Sequence, residues 1–555
     1  MSTFSLSSGP LLRRFIDLLA CSTLGLLAGC ASVDGLDKPL RHGEVALETR
    51  GDRLDWNYHS LLEYSAYAKE PGAFGRQSGT SGNQSLACAS PAASPPPECR
   101  IHGHGLHFPG YVIALEKSPR KRIGLDLPRA FACDCASVGR YFAESKLVAP
   151  PCKETPSPSL CFLQRRLDDG ERLFVSHVLR FAATEGPSAR IVGQPIYDAY
   201  RSVAPPAGPG EKPLPLETKL FEAGISGGLE AFEAQLKRDI AQQSPTHILI
   251  YVMGWNTGEI EALENFNNLS GFLADAAEGS PEGKAFKPLV IGMTWPSAWS
   301  FGTSPADDLL RGFSFANKKN DADEVGAVWL SRLLHDILPR VRGQGAGPAV
   351  VAFGHSFGAR ALSRGVHSCS LVRSDDCSRH AVDLAVGYLP AEGRSRYAED
   401  QYSSFVEGWS VPPLPPHHEG IPYTDYSASL PTAIPQAAFW SGYDTATAHF
   451  ALMGSYSAID NTLLPAGRKA FQHVPEYRPI RIDHDTRHIV APPSLEQVRK
   501  ELRSARLQPG KVLLIDGSGF IQHSAPLHGG AAHSDIYSRE VGEASWELIR
   551  RFPPR

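Results

Sequence analysis

Six short, almost unbroken apolar stretches between residues 247 and 519 constrain this chain more than any other feature. They are "HILIYVMG" (247–254), "PLVIGMTW" (288–295), "PAVVAFG" (348–354), "VDLAVGYLP" (382–390), "QAAFWSGYD" (436–444) and "KVLLIDGSG" (511–519). None alternates apolar with polar residues, so none reads as a strand with one face in water. Each is also short for a buried helix. Helical patterns flank most of them. Leu229, Phe232, Leu236 and Ile240 share one face, "IEALENFNNLSGFL" follows the first run, and Leu330, Leu333, Leu334, Ile337 and Leu338 share another. Strands buried on both faces and separated by helices specify an α/β chain with a mostly parallel sheet covered by helices on both sides.

Three stretches interrupt this rhythm and read as lid-like insertions: residues 296–324 with Trp299, Phe301, Phe313 and Phe315; residues 392–435, centred on "SVPPLPPHHEGIPY"; and residues 445–510. Segments at the carboxyl ends of parallel strands build binding sites. Residues 392–435, with Trp299 and Phe301, are therefore expected to cover an apolar pocket. Residues 30–165 read as an irregular, disulfide-containing N-terminal extension with a Ser/Pro/Gly-rich loop at "RQSGTSGNQSLACASPAASPPPECR". The catalytic unit is expected over 166–555. His102, His104 and His107 in "RIHGHGLHF" read as a polar strand edge or loop, because no acid or cysteine stands at metal-ligand spacing.

Residues 1–29 are of another kind. Arg13-Arg14 precedes the short apolar stretch "IDLLACSTLGLLAGC", which contains one acid, Asp17. A charged start, a short apolar core and small residues before a cut describe a secretory signal, too short for a comfortable membrane span. Leu27-Ala28-Gly29-Cys30 resembles a bacterial lipobox, which implies cleavage before Cys30 and lipidation of its thiol. The expected location is the bacterial cell envelope, with the chain lipid-anchored at the outer membrane or periplasmic face. Of ten cysteines, eight remain after Cys21 and Cys30 are set aside. An oxidising compartment favours bridges. Cys88 with Cys99, and Cys369 with Cys377, are close enough to pair locally. Cys133, Cys135, Cys152 and Cys161 leave their connectivity open. Their Cys-x-Cys spacing does not suit zinc, and no metal is expected. With 55 basic and 59 acidic residues and no basic tract, the chain carries no nucleic-acid footprint.

The third run ends in Gly354-His355-Ser356-Phe357-Gly358 and passes directly into helix-forming residues. A buried strand that turns at once into a helix needs a sharp bend. A serine at its apex presents its hydroxyl, and both flanks must be small because strand and helix almost touch. This is the G-x-S-x-G nucleophile elbow, with Ser356 as nucleophile and Gly354 and Gly358 as flanks.

A serine needs a base held by a carboxylate, and in this type of chain the order is Ser, acid, His. Three histidines follow the last run: His523, His528 and His533. His533 is favoured, because it stands on a small-residue loop ahead of a final amphipathic helix carrying Val541, Trp546, Ile549 and Phe552. Asp444 closes the fifth run and is favoured as the acid over Glu392. Asp516 lies inside its strand and reads as structural. An oxyanion hole needs backbone N–H groups. They are expected from Phe357 and from the turn Gly254-Trp255, with Trp255 as donor.

"YVMGWNT", "MTWPS", "GHSFGAR", "SGYDTA" and "HSDIY", in this order, resemble a poorly characterised bacterial group of α/β-hydrolases. Its members typically carry His-Gly-[Tyr/Trp]-Asn after the first of these strands and Trp-Pro-Ser after the next. The resemblance covers blocks within 247–537. It implies an α/β-hydrolase fold with Ser356, Asp444 and His533 as a triad. The chain departs from the pattern at Met253, where the family has His. The expectation is a serine hydrolase acting on small-molecule or lipid carboxylic esters without a cofactor. An amidase or peptidase using the same triad, and a non-catalytic hydrolase-like envelope binding protein, are the alternatives.

Overall fold

A computed structural model describes residues 106–117, 173–183, 191–199, 224–297 (except 256 and 258), 321–342, 347–372, 380–391, 434–444, 471–474, 492–507, 511–522 and 531–553, together with 73–74, 136, 318 and 377. The strands are β1 (Ala73–Phe74), β2 (Gly110–Lys117), β3 (Leu173–Ala183), β4 (Ile191–Asp198), β5 (His247–Val252), β6 (Pro288–Thr294), β7 (Ala349–His355), β8 (Leu384–Tyr388), β9 (Gln436–Trp440), β10 (Phe471–Val474) and β11 (Val512–Asp516). They form one mixed sheet in the order β1-β4-β3-β2-β6-β5-β7-β8-β9-β11-β10. From β2 to β10 every neighbouring pair is parallel. The pairs β2–β3, β3–β4 and β4–β1 are antiparallel.

All six apolar runs are strands of this sheet: β5, β6, β7, β8, β9 and β11. Every residue of β5 and β6 is buried, as a parallel strand covered on both faces requires. The irregular reading of residues 30–165 fails at Gly110–Lys117. This segment is β2, seated between β3 and β6, so the sheet does not begin at residue 166. β2 pairs antiparallel with β3, the next described strand, so it stands outside the strand–helix rhythm of the parallel runs.

The helices are α1 (Leu229–Gln243), α2 (Glu259–Glu278), α3 (Leu338–Arg342), α4 (Phe357–Val366), α5 (Cys369–Val372), α6 (Leu495–Ser504) and α7 (Arg539–Ile549). They cover both faces. On one, Tyr251 stacks on Phe266 of α2 with ring centroids 5.5 Å apart, and the Tyr388 hydroxyl meets Ser545 of α7 at 2.8 Å. A row of rings continues across the strands, Tyr251–Phe353–Tyr388–Phe439, at 5.1, 6.0 and 5.4 Å. Each such pair adds about 0.5–1.5 kcal/mol to simple burial. On the other face lies α4, backed by the helical segments Val325–Leu330 and Leu333–Ile337 that lead into α3. At the antiparallel end, Tyr111 of β2 donates to Asp239 of α1, and Arg180 of β3 grips the same carboxylate at 2.7 and 2.6 Å. Among the described residues no helix is long and apolar enough to cross a membrane.

The strands are nearly level. His247 pairs with Pro288 and Ala349, His355 with Tyr388, and Trp440 with Asp516. Their carboxyl ends therefore emerge along one edge, and the loops after β5, β7, β9 and β11 meet there.

Candidate functional site

Ser356 joins β7 to α4 with φ 55° and ψ −120°. A residue bearing a Cβ pays about 1–3 kcal/mol to stay in such a region, so its surroundings must hold it. Its N–H donates to the Tyr388 carbonyl at 3.0 Å, and its own carbonyl accepts from Arg360 at 3.1 Å and Ala391 at 3.2 Å. The flanks leave no room for side chains. A Cβ on Gly354 would lie 2.4 Å from the Gly358 carbonyl oxygen, and one on Gly358 would lie 2.1 Å from that of Val252. Arg360, one turn along α4, is buried and makes a two-pronged contact with Asp323 at 3.0 and 2.7 Å, fixing the helix against the segment behind it. The Ser356 side chain makes no capping hydrogen bond to α4. The helix start, with its partial positive charge, therefore faces the serine uncapped by it.

Asp444 ends the turn after β9. Its N–H bonds to the Ser441 carbonyl at 3.1 Å, the Ser441 hydroxyl donates to the Ile521 carbonyl at 2.5 Å, and Gly442 N–H reaches the Ser518 hydroxyl at 3.0 Å. The loops after β9 and β11 are thus laced together, and Asp444 is fully buried. His533 sits in the short turn Ala531–Ser534, ahead of α7, which Ser538 caps through Val541 N–H at 3.3 Å. Its Nδ1 lies 3.1 Å from both Asp444 oxygens. With Nδ1–H donated to the carboxylate, the free lone pair is on Nε2. The His533 side chain is 14% exposed against 0% for Asp444, so the acid is sealed and the imidazole reaches the surface.

Two residues that periodicity did not single out complete the geometry. His355, next to Ser356, donates from Nε2 to the His533 carbonyl oxygen at 2.7 Å, and Tyr537 donates its hydroxyl to His355 Nδ1 at 3.3 Å. The His355 and His533 rings lie 4.7 Å apart. Burial first, and the neighbouring His533 second, push the His355 imidazole down to about 3, so it is neutral near pH 7. Both residues lie inside motifs visible in the sequence, "GHSFGAR" and "HSDIY".

The loop after β5 runs alongside the elbow. A Cβ on Gly254 would lie 3.1 Å from the His355 carbonyl oxygen and 3.2 Å from Ser356 Cβ, and the Trp255 ring lies 6.2 Å from that of Phe357. Met253 is buried. The Trp-Pro-Ser segment braces this loop. Trp295 Nε1–H donates to the Met253 carbonyl at 3.0 Å; Ser297 Oγ accepts from Thr257 N–H at 3.1 Å and donates to its carbonyl at 2.8 Å.

The remaining expectations divide simply. Asp516 accepts from Ser518 N–H at 2.9 Å, and burial raises its carboxyl above the usual range. Cys369 and Cys377 form a disulfide with Cα atoms 5.9 Å apart. His107 uses its backbone N–H to bond Asn267 at 2.8 Å. Glu392, His102, His104, His523, His528, Trp299, Phe301, Cys30, Cys88, Cys99, Cys133, Cys135, Cys152 and Cys161 lie outside the described residues, as does nearly all of 392–435. Among the described residues no group of three or more His, Cys, Asp or Glu side chains is placed to hold a metal ion. Comparison with protein-family models, with curated proteins and with solved structures finds no match.

Proposed function

We propose that this chain is a serine hydrolase of the α/β-hydrolase type that cleaves carboxylic esters through an acyl-enzyme. The observation that carries the reading is Ser356 at φ 55°, wedged by Gly354 and Gly358 between a strand and a helix. Such a strained, over-determined backbone at a strand–helix turn is the mark of a nucleophile elbow. The buried Asp444 carboxylate on His533 Nδ1 supplies the oriented base the serine would need.

In this reading Ser356 Oγ attacks the acyl carbon while His533 Nε2 takes the hydroxyl proton. Asp444 keeps the ring in the productive tautomer and stabilises the imidazolium. The carbonyl oxygen, now negative, accepts hydrogen bonds from backbone N–H groups of Phe357 and of the Gly254–Trp255 turn. His533 returns the proton to the leaving alkoxide, and the alcohol departs. Water, deprotonated by His533, then attacks the Ser356 ester, and collapse releases the acid and restores the serine. Leu27-Ala28-Gly29-Cys30 supports export and lipid anchoring at the cell envelope, which would place the site beside lipid esters as well as small ones.

The test is turnover on nitrophenyl esters and anilides of graded acyl length, parent against Ser356→Ala. Esterase activity that Ser356→Ala abolishes supports the proposal. Anilide cleavage without ester cleavage points to the amidase alternative. Equal activity in parent and variant, or none on any substrate, overturns it.

A further inference from the structure

We infer that His355 and Tyr537 form a clamp that positions His533 as the base, the clamp resting on the serine-hydrolase reading above. His533 lies in a four-residue turn, too short to hold its own position through helical hydrogen bonds. Ala532 N–H reaches the Tyr443 carbonyl at 3.4 Å, Asp535 N–H bonds the Ala532 carbonyl at 3.0 Å, and the Asp535 carboxylate accepts from Gln522 N–H at 2.8 Å. Among the described residues the carbonyl of His533 itself is held by a bond of 2.7 Å from His355 Nε2.

That donor is adjacent in sequence to Ser356. Ser356 is fixed by its hydrogen bonds to Tyr388, Arg360 and Ala391, and β7 is paired on both sides. The bond therefore measures the base's position from the nucleophile's own backbone rather than from a loop. Asp444 fixes the ring at Nδ1, while His355 fixes the backbone behind it. Two points on opposite ends of one residue define where Nε2 lies.

Tyr537 sets the direction of the clamp. A neutral imidazole has one N–H, and which nitrogen carries it follows from the partner of the other. The Tyr537 hydroxyl offers its proton to His355 Nδ1, leaving the N–H on Nε2, where the His533 carbonyl needs a donor. Tyr537 is four residues after His533, so the base loop carries the residue that orients its own anchor.

The neutral state also matters to catalysis. With ring centroids 4.7 Å apart, a charged His355 would oppose the imidazolium that His533 becomes in the transition state. Burial keeps His355 uncharged.

The experiment compares the full-length parent with His355→Gln and His355→Phe. Gln carries an N–H donor near the Nε2 position, and Phe fills the volume without one. Measured are the rate of fluorophosphonate labelling at Ser356, kcat and KM on a nitrophenyl ester, and thermal unfolding. His355→Phe should lower the labelling rate and kcat by about 10²-fold with little change in KM, as for a reacting group displaced by about an ångström. His355→Gln should return both to within about fivefold of the parent. Tyr537→Phe should fall between, by about tenfold, since it removes the orienting proton but not the donor. Equal losses in Gln and Phe, or parent rates in both, would overturn the clamp. So would a loss in Phe that appears only in KM or only as unfolding. A parent that does not label at Ser356 sinks the hydrolase reading, and the clamp falls with it.

Discussion

The contact between β5 and α4 can be tested by adding one carbon. In Gly358→Ala the new Cβ would sit 2.1 Å from the Val252 carbonyl oxygen and 2.7 Å from that of Met253, both backbone atoms at the end of a fully buried strand. Ordinary contact begins near 3.4 Å, so strand and helix must separate by more than an ångström. Overpacking a core in this way costs about 1–3 kcal/mol. For a unit as long as residues 166–555, unfolding with roughly 2.1 cal/mol/K per residue, that lowers the midpoint by roughly 1 °C per kcal/mol. The same movement carries the Gly254–Trp255 turn away from Ser356, and misplacement on this scale costs about 10²-fold in rate. Gly271 in α2 is the control, since a Cβ there meets nothing within 4 Å. Gly271→Ala should be neutral or stabilising by up to ~1 kcal/mol. Thermal unfolding and fluorophosphonate labelling of both variants provide the assay. Gly358→Ala with the stability and labelling rate of Gly271→Ala would refute the close contact, and with it the elbow.

Other outcomes follow from single features. Replacing Cys369 and Cys377 with Ser should cost up to roughly 2–3 kcal/mol, read by denaturant unfolding, since the bridge closes a short loop; unchanged stability would contradict it. Three histidines are driven down chiefly by burial, His247 to about 4 and His355 and His367 to about 3. The folded chain then binds fewer protons than the unfolded one below about 6.5, so stability is full above that pH and falls as pH drops toward 4 and then 3. At pH 5 the loss is on the order of 2 kcal/mol for each histidine, and a stability that is flat between pH 7.5 and 5 would contradict their burial. Mass spectrometry of the membrane fraction should find a mature chain starting at an acylated Cys30; an unmodified Cys30 thiol would exclude the anchor.

The sequence displayed the central sheet because each of its runs had to be apolar on both faces. That rule made β5, β6, β7, β8, β9 and β11 legible. It failed where a strand carries polar residues, as in β3 with buried Ser176 and His177 and the partly exposed Arg180. It also failed where a strand holds Gly and Pro, as in β4, or only four residues, as in β10. The β2 segment is apolar but lies well ahead of the six runs in sequence and pairs antiparallel with β3. At the site, Ser356 was marked by its own neighbours, because the turn demands Gly354 and Gly358 locally. Asp444 and His533 rested on chain order and on their places, one closing an apolar run and the other on a loop ahead of the final helix, and their contact spans 89 residues. His355 and Tyr537 stood inside quoted motifs, but no pattern of residues assigned them a role. Their link spans 182 residues and is made by side chains, which no periodicity reports.

In the proposed function Ser356 is an activated nucleophile served by His533 and Asp444. The most direct measurement is the mapping of a fluorophosphonate adduct by peptide mass spectrometry in the parent, His533→Ala and Asp444→Asn. One adduct, on Ser356, is expected to form quickly in the parent. Labelling should fall by several orders of magnitude in His533→Ala, and by up to about 10⁴-fold in Asp444→Asn with the fold intact. An adduct on another residue, or labelling of Ser356 at parent rates in both variants, would contradict it.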